Sequence, residues 1–370
     1  MIKVLQVLGG TCLGGAESRV MDIYRHIDRD KIQFDFLINE GVDGPYSEEI
    51  EKLGGHVYHL PRYKVYNYFK YRSAIREFFR EHKDYAVVHG HMTSTAAWYL
   101  PEAKKAGIPL TIAHARSAGV DKGAKGRLTR FMRRHLSEKC DMMLACSDQA
   151  AVSVFGQKAL DEGRVVFMPN AVDTGEFAPD TAIGHDIRKQ YGLKGTFLVG
   201  HVGRLHYAKN HEFLLKVFKE VAALRDDARL LIVGEGPLEN DIRQWIEEMG
   251  LKDKAIMAGA HTPVSPYYKA FDCVVFPSRY EGMPGTVVEA QAAGLPCLIS
   301  DKITPQVKAS DLVEFMSLED DPKNWALKLL EMCENKTYLP KLSDTLFDVH
   351  NQITYYTELY SKAAAKLEDK

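Results

Sequence analysis

The order of apolar and polar positions repeats one local unit along the chain. A short β-rich run, Lys3 to Leu8, ends in a glycine loop, Gly9 to Gly15, after which Val20, Ile23, Tyr24 and Ile27 return at helical spacing. This pattern predicts strand, loop and helix in succession. Short apolar runs recur at Phe34 to Ile38, Tyr85 to Val88, Leu110 to Ile112, Met142 to Ala145 and Val165 to Met168, with helix-length segments between most of them. Such alternation predicts a parallel sheet covered by helices.

An irregular polar stretch follows Pro169-Asn170-Ala171-Val172-Asp173, and a second series then begins at Phe197 to Val202. It continues through Arg229 to Val233, Ala255 to Met257, Cys273 to Phe276, Pro296 to Ile299 and Val313 to Met316. Helical segments such as His211 to Leu224 and Leu238 to Met249 lie between them. The expectation is an α/β chain of two Rossmann-like domains, residues 1–175 and 176–350, followed by a final amphipathic helix, 351–370, carrying Tyr355, Tyr356, Leu359 and Tyr360. Ligands of open α/β sheets sit at the carboxyl ends of the strands, so the site is expected between the domains.

Length and charge narrow the function classes. A chain of 370 residues suits two domains, and a formal net charge of -2 provides no general footprint for nucleic acid. The six cysteines show no C-x-x-C spacing and read as buried thiols of a reducing compartment. No apolar run is long enough for a membrane span, and the first eight residues are too short a run for a signal peptide. A cytoplasmic protein, soluble or peripheral on a membrane, is therefore expected. The first loop carries neither G-x-G-x-x-G nor G-x-x-x-x-G-K-[ST], which disfavours dinucleotide oxidoreductases and P-loop kinases.

Four stretches carry candidate chemistry. In the stretch from Pro277 to Pro296, Glu281 falls in a loop after a strand, with Gly282, Met283 and Pro284 behind it. Gly285 and Thr286 then open a helix whose first turns hold Glu289. The N–H groups of that helix start suit phosphate oxygens, although acids in a first turn also simply stabilise the helix dipole. Gly203-Arg204-Leu205-His206-Tyr207-Ala208-Lys209-Asn210 places two cations at another strand end. They can neutralise a diphosphate without metal. His89-Gly90-His91 and His114-Ala115-Arg116 close two further strands. These imidazoles and the guanidinium suit sugar hydroxyls or phosphate, and their spacing lacks a recognisable zinc pattern, so no metal is expected.

One more segment stands apart. Residues 122–139 hold seven cations against Glu138, with Leu128, Phe131, Met132 and Leu136 interleaved, and read as one basic amphipathic helix. It suits an anionic lipid surface, or else a solvated face over a packed one.

Taken in order, Gly14-Gly15-Ala16-Glu17, Pro169-Asn170-x-Val172-Asp173, Gly203-Arg204 with Lys209-Asn210, and Glu281-x7-Glu289 with Gly294-x-Pro296 resemble glycosyltransferase family 4 over nearly the whole chain. The continuation Ser300-Asp301-Lys302-Ile303-Thr304 looks most like bacterial exopolysaccharide and capsule transferases. The resemblance implies a GT-B fold, with the acceptor held mainly by the first domain, the donor mainly by the second, and the last helix crossing back to the first. It implies that Arg204 and Lys209 hold a donor diphosphate, Glu289 the ribose hydroxyls and Glu281 the transferred sugar. His114 would stand near the C6 hydroxyl of that sugar and Gly15 near the phosphates. Gly203, Gly282, Met283, Pro284, Gly285 and Thr286 would complete the donor site, with His91 and Arg116 on the acceptor side. Two departures from the family pattern are Met283-Pro284, where many members have Phe-Gly, and Ala171, where many have Gly.

The expected activity is retaining, metal-independent transfer of a hexose or N-acetylhexosamine from a UDP-sugar to a lipid-linked or oligosaccharide acceptor in polysaccharide biosynthesis. No cofactor beyond the donor is implied. Two alternatives share the same residues. A sugar-nucleotide epimerase would release product without an acceptor, and a nucleotide-sugar sensor would bind without turnover.

Overall fold

The computed structural model describes residues 1–12, 14–117, 123–334 and 342–368. The chain forms two compact units, Met1–Ala171 with Val349–Lys370, and Val172–Asp348.

The first unit is built on seven parallel strands: β1 (Ile2–Val7), β2 (Ile32–Asn39), β3 (Val57–Leu60), β4 (Val87–Gly90), β5 (Leu110–Ala115), β6 (Met142–Ala145) and β7 (Val165–Phe167). Their spatial order is β3-β2-β1-β4-β5-β6-β7. The pattern of apolar runs foresaw six of them and missed β3, an edge strand whose His59 is exposed and whose Val57 and Tyr58 are only half-buried. The second unit carries β8 (Phe197–Val202), β9 (Ala228–Val233), β10 (Ala255–Gly259), β11 (Cys273–Phe276), β12 (Cys297–Ser300) and β13 (Val313–Met316). They lie in the order β10-β9-β8-β11-β12-β13, again all parallel.

Strand order reverses between β1 and β4 in one sheet and between β8 and β11 in the other. At such a switch point the loops leave the sheet in opposite directions and open a crevice at the strands' carboxyl ends. The loops singled out after β1, β4, β5, β8, β11 and β12 start at or beside one of these points, whereas the Pro169 to Asp173 stretch follows β7 at the sheet edge.

Each unit has its own core. In the first, Tyr24, Phe34 and Phe36 pack with Val349, Tyr356, Tyr360 and Ala363 of the final helix, Val349–Glu368. That helix thus completes a core begun by the opening strand. In the second, Leu214, Leu215 and Phe218 of helix His211–Leu224 meet Trp325 of helix Pro322–Glu334 over the sheet.

The chain passes between units inside the Pro169 to Asp173 motif. Val172 N–H bonds to the Phe347 carbonyl at 3.0 Å, and the Asp173 carboxylate caps helix Thr174–Phe177 through the Gly175 and Glu176 N–H groups at 2.9 and 3.2 Å. These bonds commit the residues after Ala171 to the second unit, four positions before residue 175.

Two further expectations are corrected. The basic segment is not one helix: Gly123–Arg133 and Leu136–Lys139 are separated by His135, which sits in the left-handed region at φ 61°. Lys122 lies outside the described residues. The cysteines are all free thiols, but Cys12 in the glycine loop is exposed and Cys333 is partly so. No helix among the described residues is long and apolar enough to cross a membrane.

Candidate active site

In the second unit the site begins where β8 ends. Gly203 has φ 156°, and a Cβ there would press on the Lys209 Cε at 3.2 Å. The following turn lies against the glycine turn after β9. Leu205 N–H bonds to the Glu235 carbonyl at 2.9 Å, and side chains at Gly234 or Gly236 would collide with the Gly203 and Leu205 carbonyls. Buried Leu205 anchors the turn and leaves Arg204 exposed beside it.

The loops after β8 and β11 are joined. Arg279 N–H bonds to the Ala208 carbonyl at 2.7 Å, and the Arg279 guanidinium stacks 4.5 Å from the centroid of the Tyr207 ring. Lys209 Nζ meets Glu281 Oε1 at 2.7 Å, with 16% and 19% of the two side chains exposed. Lys209 also lies 4.4 Å from the Phe276 ring centroid, a cation–π contact. Largely shielded from solvent, this pair is stronger than a surface ion pair, since water screens it less.

Glu289 goes elsewhere. It sits on helix Gly285–Ala292, is 8% exposed, and accepts a hydrogen bond from the Tyr268 hydroxyl at 2.8 Å. Burial, followed by the Glu289 charge, pushes the Tyr268 pKa well up, so the phenol remains a donor. A Cβ at Gly285 would lie 3.5 Å from Glu289 Oε1, in van der Waals contact with the carboxylate. Thr286 Oγ1 donates to the Val202 carbonyl at 3.2 Å and ties the helix start to β8. Val287 N–H turns back onto the Pro284 carbonyl at 3.2 Å, which narrows the outward donors of the helix start to Gly285 and Thr286. Met283 and Pro284 are buried, while Gly282 is half-buried at the turn.

In the first unit the glycine loop after β1 is pinned by Thr11, whose Oγ1 accepts from Gly44 N–H at 2.8 Å. A Cβ at Gly15 would meet open space, whereas at Gly14 it would collide with the Glu17 carboxylate. Burial raises the Glu17 pKa, against the pull of Arg116.

The ends of β4 and β5 bring His89, His91 and His114 into one buried stack. Ring centroids are 4.3 Å apart for His89 and His91 and 5.3 Å for each of the other two pairs. Burial is the main cause that drives all three pKa values well below the usual histidine value, with Arg116 adding to it in each, so the rings are neutral. Arg116 donates to His91 Nδ1 and to Asn170 Oδ1, both at 3.3 Å, while its Nη2 is buried without a partner. Burial lowers even the Arg116 pKa.

One nitrogen from each of the three histidines lies within 4.8 Å of the others, the spacing of a metal cluster. Most ring nitrogens are already spent on hydrogen bonds, however, and a buried guanidinium stands beside them. A divalent cation would have to break that network and bear the repulsion.

Family models match two parts of the chain, one described as Glycosyltransferase Family 4 over residues 13–176 and one as Glycosyl transferases group 1 over residues 196–335. EpsF of Bacillus subtilis is 34% identical over 88% of this chain and 86% of its own. The chain belongs to glycosyltransferase family 4. An Escherichia coli relative of this family 4 transferase, the UDP-Gal:alpha-D-GlcNAc-diphosphoundecaprenol alpha-1,3-galactosyltransferase, is 30% identical over 59% of this chain and 58% of its own. Among solved structures, Anabaena HepE in complex with UDP superposes with a TM-score of 0.78 at 16% identity, covering 98% of this chain and all of HepE. The fold of the family 4 transferase is thus GT-B.

Within it, the structure pairs Lys209 with Glu281 and groups His91, His114 and Arg116, whereas Glu281 and Glu289 take different partners. Sequence reasoning missed Tyr268, Gln6 and Tyr360, which touch these groups but carry no local signal. It also missed Gly234-Glu235-Gly236, a glycine turn after a strand that was open to notice.

Proposed function

We propose that this glycosyltransferase moves a hexose or N-acetylhexosamine from a UDP-sugar to a lipid-linked or oligosaccharide acceptor in polysaccharide biosynthesis, with retention and without an obligatory metal. The observation that carries the reading is the shielded Lys209–Glu281 pair, which joins the loop that carries exposed Arg204 to the loop before the helix that bears Glu289. The UDP held by HepE and the UDP-sugar and lipid diphosphate in the E. coli relative's name support the same donor and acceptor classes.

In this reading a donor diphosphate competes with Glu281 for Lys209 and takes Arg204 as well, while Glu281, freed from the ion pair, orients the transferred sugar. Positive charge grows on the anomeric carbon as the diphosphate leaves. Fixed cations and helix-start N–H groups aimed at the leaving oxygens stabilise that charge separation selectively. Glu289, held by Tyr268, accepts the ribose hydroxyls, and the departing phosphate takes the acceptor's proton. His114 donates to the sugar, and Gly15 leaves room for phosphate. His91 and Arg116 serve the acceptor. The exposed cations Arg127, Arg130 and Arg134 are proposed to rest on an anionic membrane surface.

The test is the melting temperature with UDP, GDP, ADP, TDP and CMP, on the native chain and on Arg204→Ala. Ligand at about 100 times its Kd stabilises by roughly 2.7 kcal/mol, a shift of several degrees. A UDP-selective shift that Arg204→Ala abolishes is expected, and no shift with any nucleotide at millimolar concentration overturns the donor assignment.

A further inference from the structure

Three large apolar side chains stand together in solvent on the first unit. Val65, Tyr66 and Phe69 are 64%, 83% and 86% exposed, on the short turn Val65–Asn67 after β3 and the first turn of helix Tyr68–Glu81. A lone exposed apolar residue needs no explanation, whereas a group of them marks a surface that meets something else. The tip is held in place. Lys64 N–H donates to Asn67 Oδ1 at 2.7 Å, and Asn67 Nδ2 donates to the Arg62 carbonyl at 3.0 Å, which closes residues 62–67 into a turn. Beneath it, Tyr63, Tyr68 and Tyr71 meet Trp98 of helix Ala96–Lys105, with ring centroids 4.4, 5.5 and 6.0 Å away. This aromatic base draws its own rings at least partly out of water and leaves the three at the tip in it.

Charge says what the tip meets. From Pro61 to Arg76 the chain carries five cations and no acid. Arg72 and Arg76 are taken by Glu102, at 2.7 and 3.4 Å, whereas Arg62, Lys64 and Lys70 are exposed beside the tip. Apolar side chains flanked by cations match the boundary of an anionic bilayer, where aromatic rings sit at headgroup level and Lys and Arg meet lipid phosphates. A sugar would be met by hydrogen-bonding groups, which Val65 and Phe69 lack. The crossovers from β3 to β4, β4 to β5 and β5 to β6 all run the same way across the sheet. Right-handed connections therefore set helices Tyr68–Glu81, Ala96–Lys105 and Gly123–Arg133 in one layer on one face. Phe131, 71% exposed among Arg127, Arg130 and Arg134, belongs to that layer too.

We propose that Val65, Tyr66 and Phe69 insert into the headgroup–acyl boundary of an anionic membrane, with Arg62, Lys64 and Lys70 on the lipid phosphates. This contact is apolar where that of the basic helix is electrostatic. Its use in transfer rests on the lipid-linked acceptor proposed above; the insertion itself does not.

The experiment is sedimentation of the full-length chain with vesicles of phosphatidylserine and phosphatidylcholine in equal parts, beside the fluorescence of Phe69→Trp. Tyr66→Ser and Phe69→Ser are each expected to weaken vesicle binding about tenfold, the lower end of what burying one such side chain brings. Their melting temperatures should match the native one, because both rings stand in solvent. The tenfold difference should persist at about 0.5 M salt, where the attraction of exposed arginines is largely screened. Vesicles are expected to shift the Phe69→Trp emission to shorter wavelength relative to the native chain, and lipids brominated on their acyl chains to quench it. A native chain that stays in solution, native binding strength in both serine variants, or no quenching overturns the proposal. So does unchanged vesicle binding with a raised KM for a water-soluble oligosaccharide acceptor, which would make the tip a sugar platform. The vesicles carry no substrate, so failure of the donor or acceptor assignment would leave these readouts standing, and their failure would leave the transfer reading intact.

Discussion

At the residue scale, the proposed mechanism asks charges to exchange their partners. Lys209 and Glu281 hold each other at 2.7 Å, so losing either leaves a shielded charge unpaired. Glu281→Ala and Arg204→Ala are each expected to abolish sugar transfer, measured as nucleotide release with an acceptor present; full activity in both would remove these residues from the mechanism. Tyr268→Phe deletes one hydroxyl, and with it the 2.8 Å bond to buried Glu289. A buried acceptor deprived of a donor costs about 1–3 kcal/mol. A melting temperature lowered accordingly, together with weaker UDP binding, is expected, and unchanged UDP affinity would separate Glu289 from the nucleotide.

At the scale of elements, the site depends on how loops fit one another. The turns after β8 and β9 touch backbone to backbone at Gly203 and Gly234, and Gly234 has φ 145°, where a side chain is strained. Gly234→Ala must push the Gly203 carbonyl aside and shift the loop that carries Arg204 and Lys209. A loss of about 1–3 kcal/mol in stability and a measurable fall in nucleotide affinity are expected by calorimetry. The basic helix makes a separate case. Arg127, Arg130 and Arg134 are exposed with Phe131, whereas Arg133 is half-buried, with Nε and Nη1 sealed from solvent. Each cation near an anionic surface gains roughly 1 kcal/mol, so reversing the three exposed arginines to Glu should weaken sedimentation with phosphatidylserine vesicles at least about a hundredfold. Unchanged binding would return the helix to a solvated face.

At the scale of the whole molecule, five buried histidines link stability to pH. Burial foremost lowers the pKa values of His89, His91 and His114 well below normal, those of His201 to about 4 and His211 to about 2. Unfolded histidines bind protons below about pH 6.5 while these folded ones do not, so the unfolded state holds more protons and stability falls with falling pH. The slope approaches about 1.4 kcal/mol per pH unit for each histidine protonated only when unfolded. Loss of stability from about pH 6.5 down to pH 4 is expected in denaturant titrations, with neutral substitutions such as His211→Gln flattening it. A stability flat across that window would contradict the neutral buried rings.

The sequence determined the strands that run apolar from end to end, the glycine loops that follow them and the acids and cations those loops carry. These are local properties, set by periodicity and by residue types that tolerate only certain conformations. Even there β3, half-exposed and polar at His59, left too faint a pattern to read. Tertiary structure alone decided that Glu281 pairs with Lys209 while Glu289 pairs with Tyr268, residues 72 and 21 positions away. It alone brought Tyr360 to His89 across 271 positions. No local pattern announces such contacts. A hydrogen bond depends on where two side chains end in space, and burial, which gives it strength and fixes its direction, exists only once the sheets are closed and the helices have packed on them.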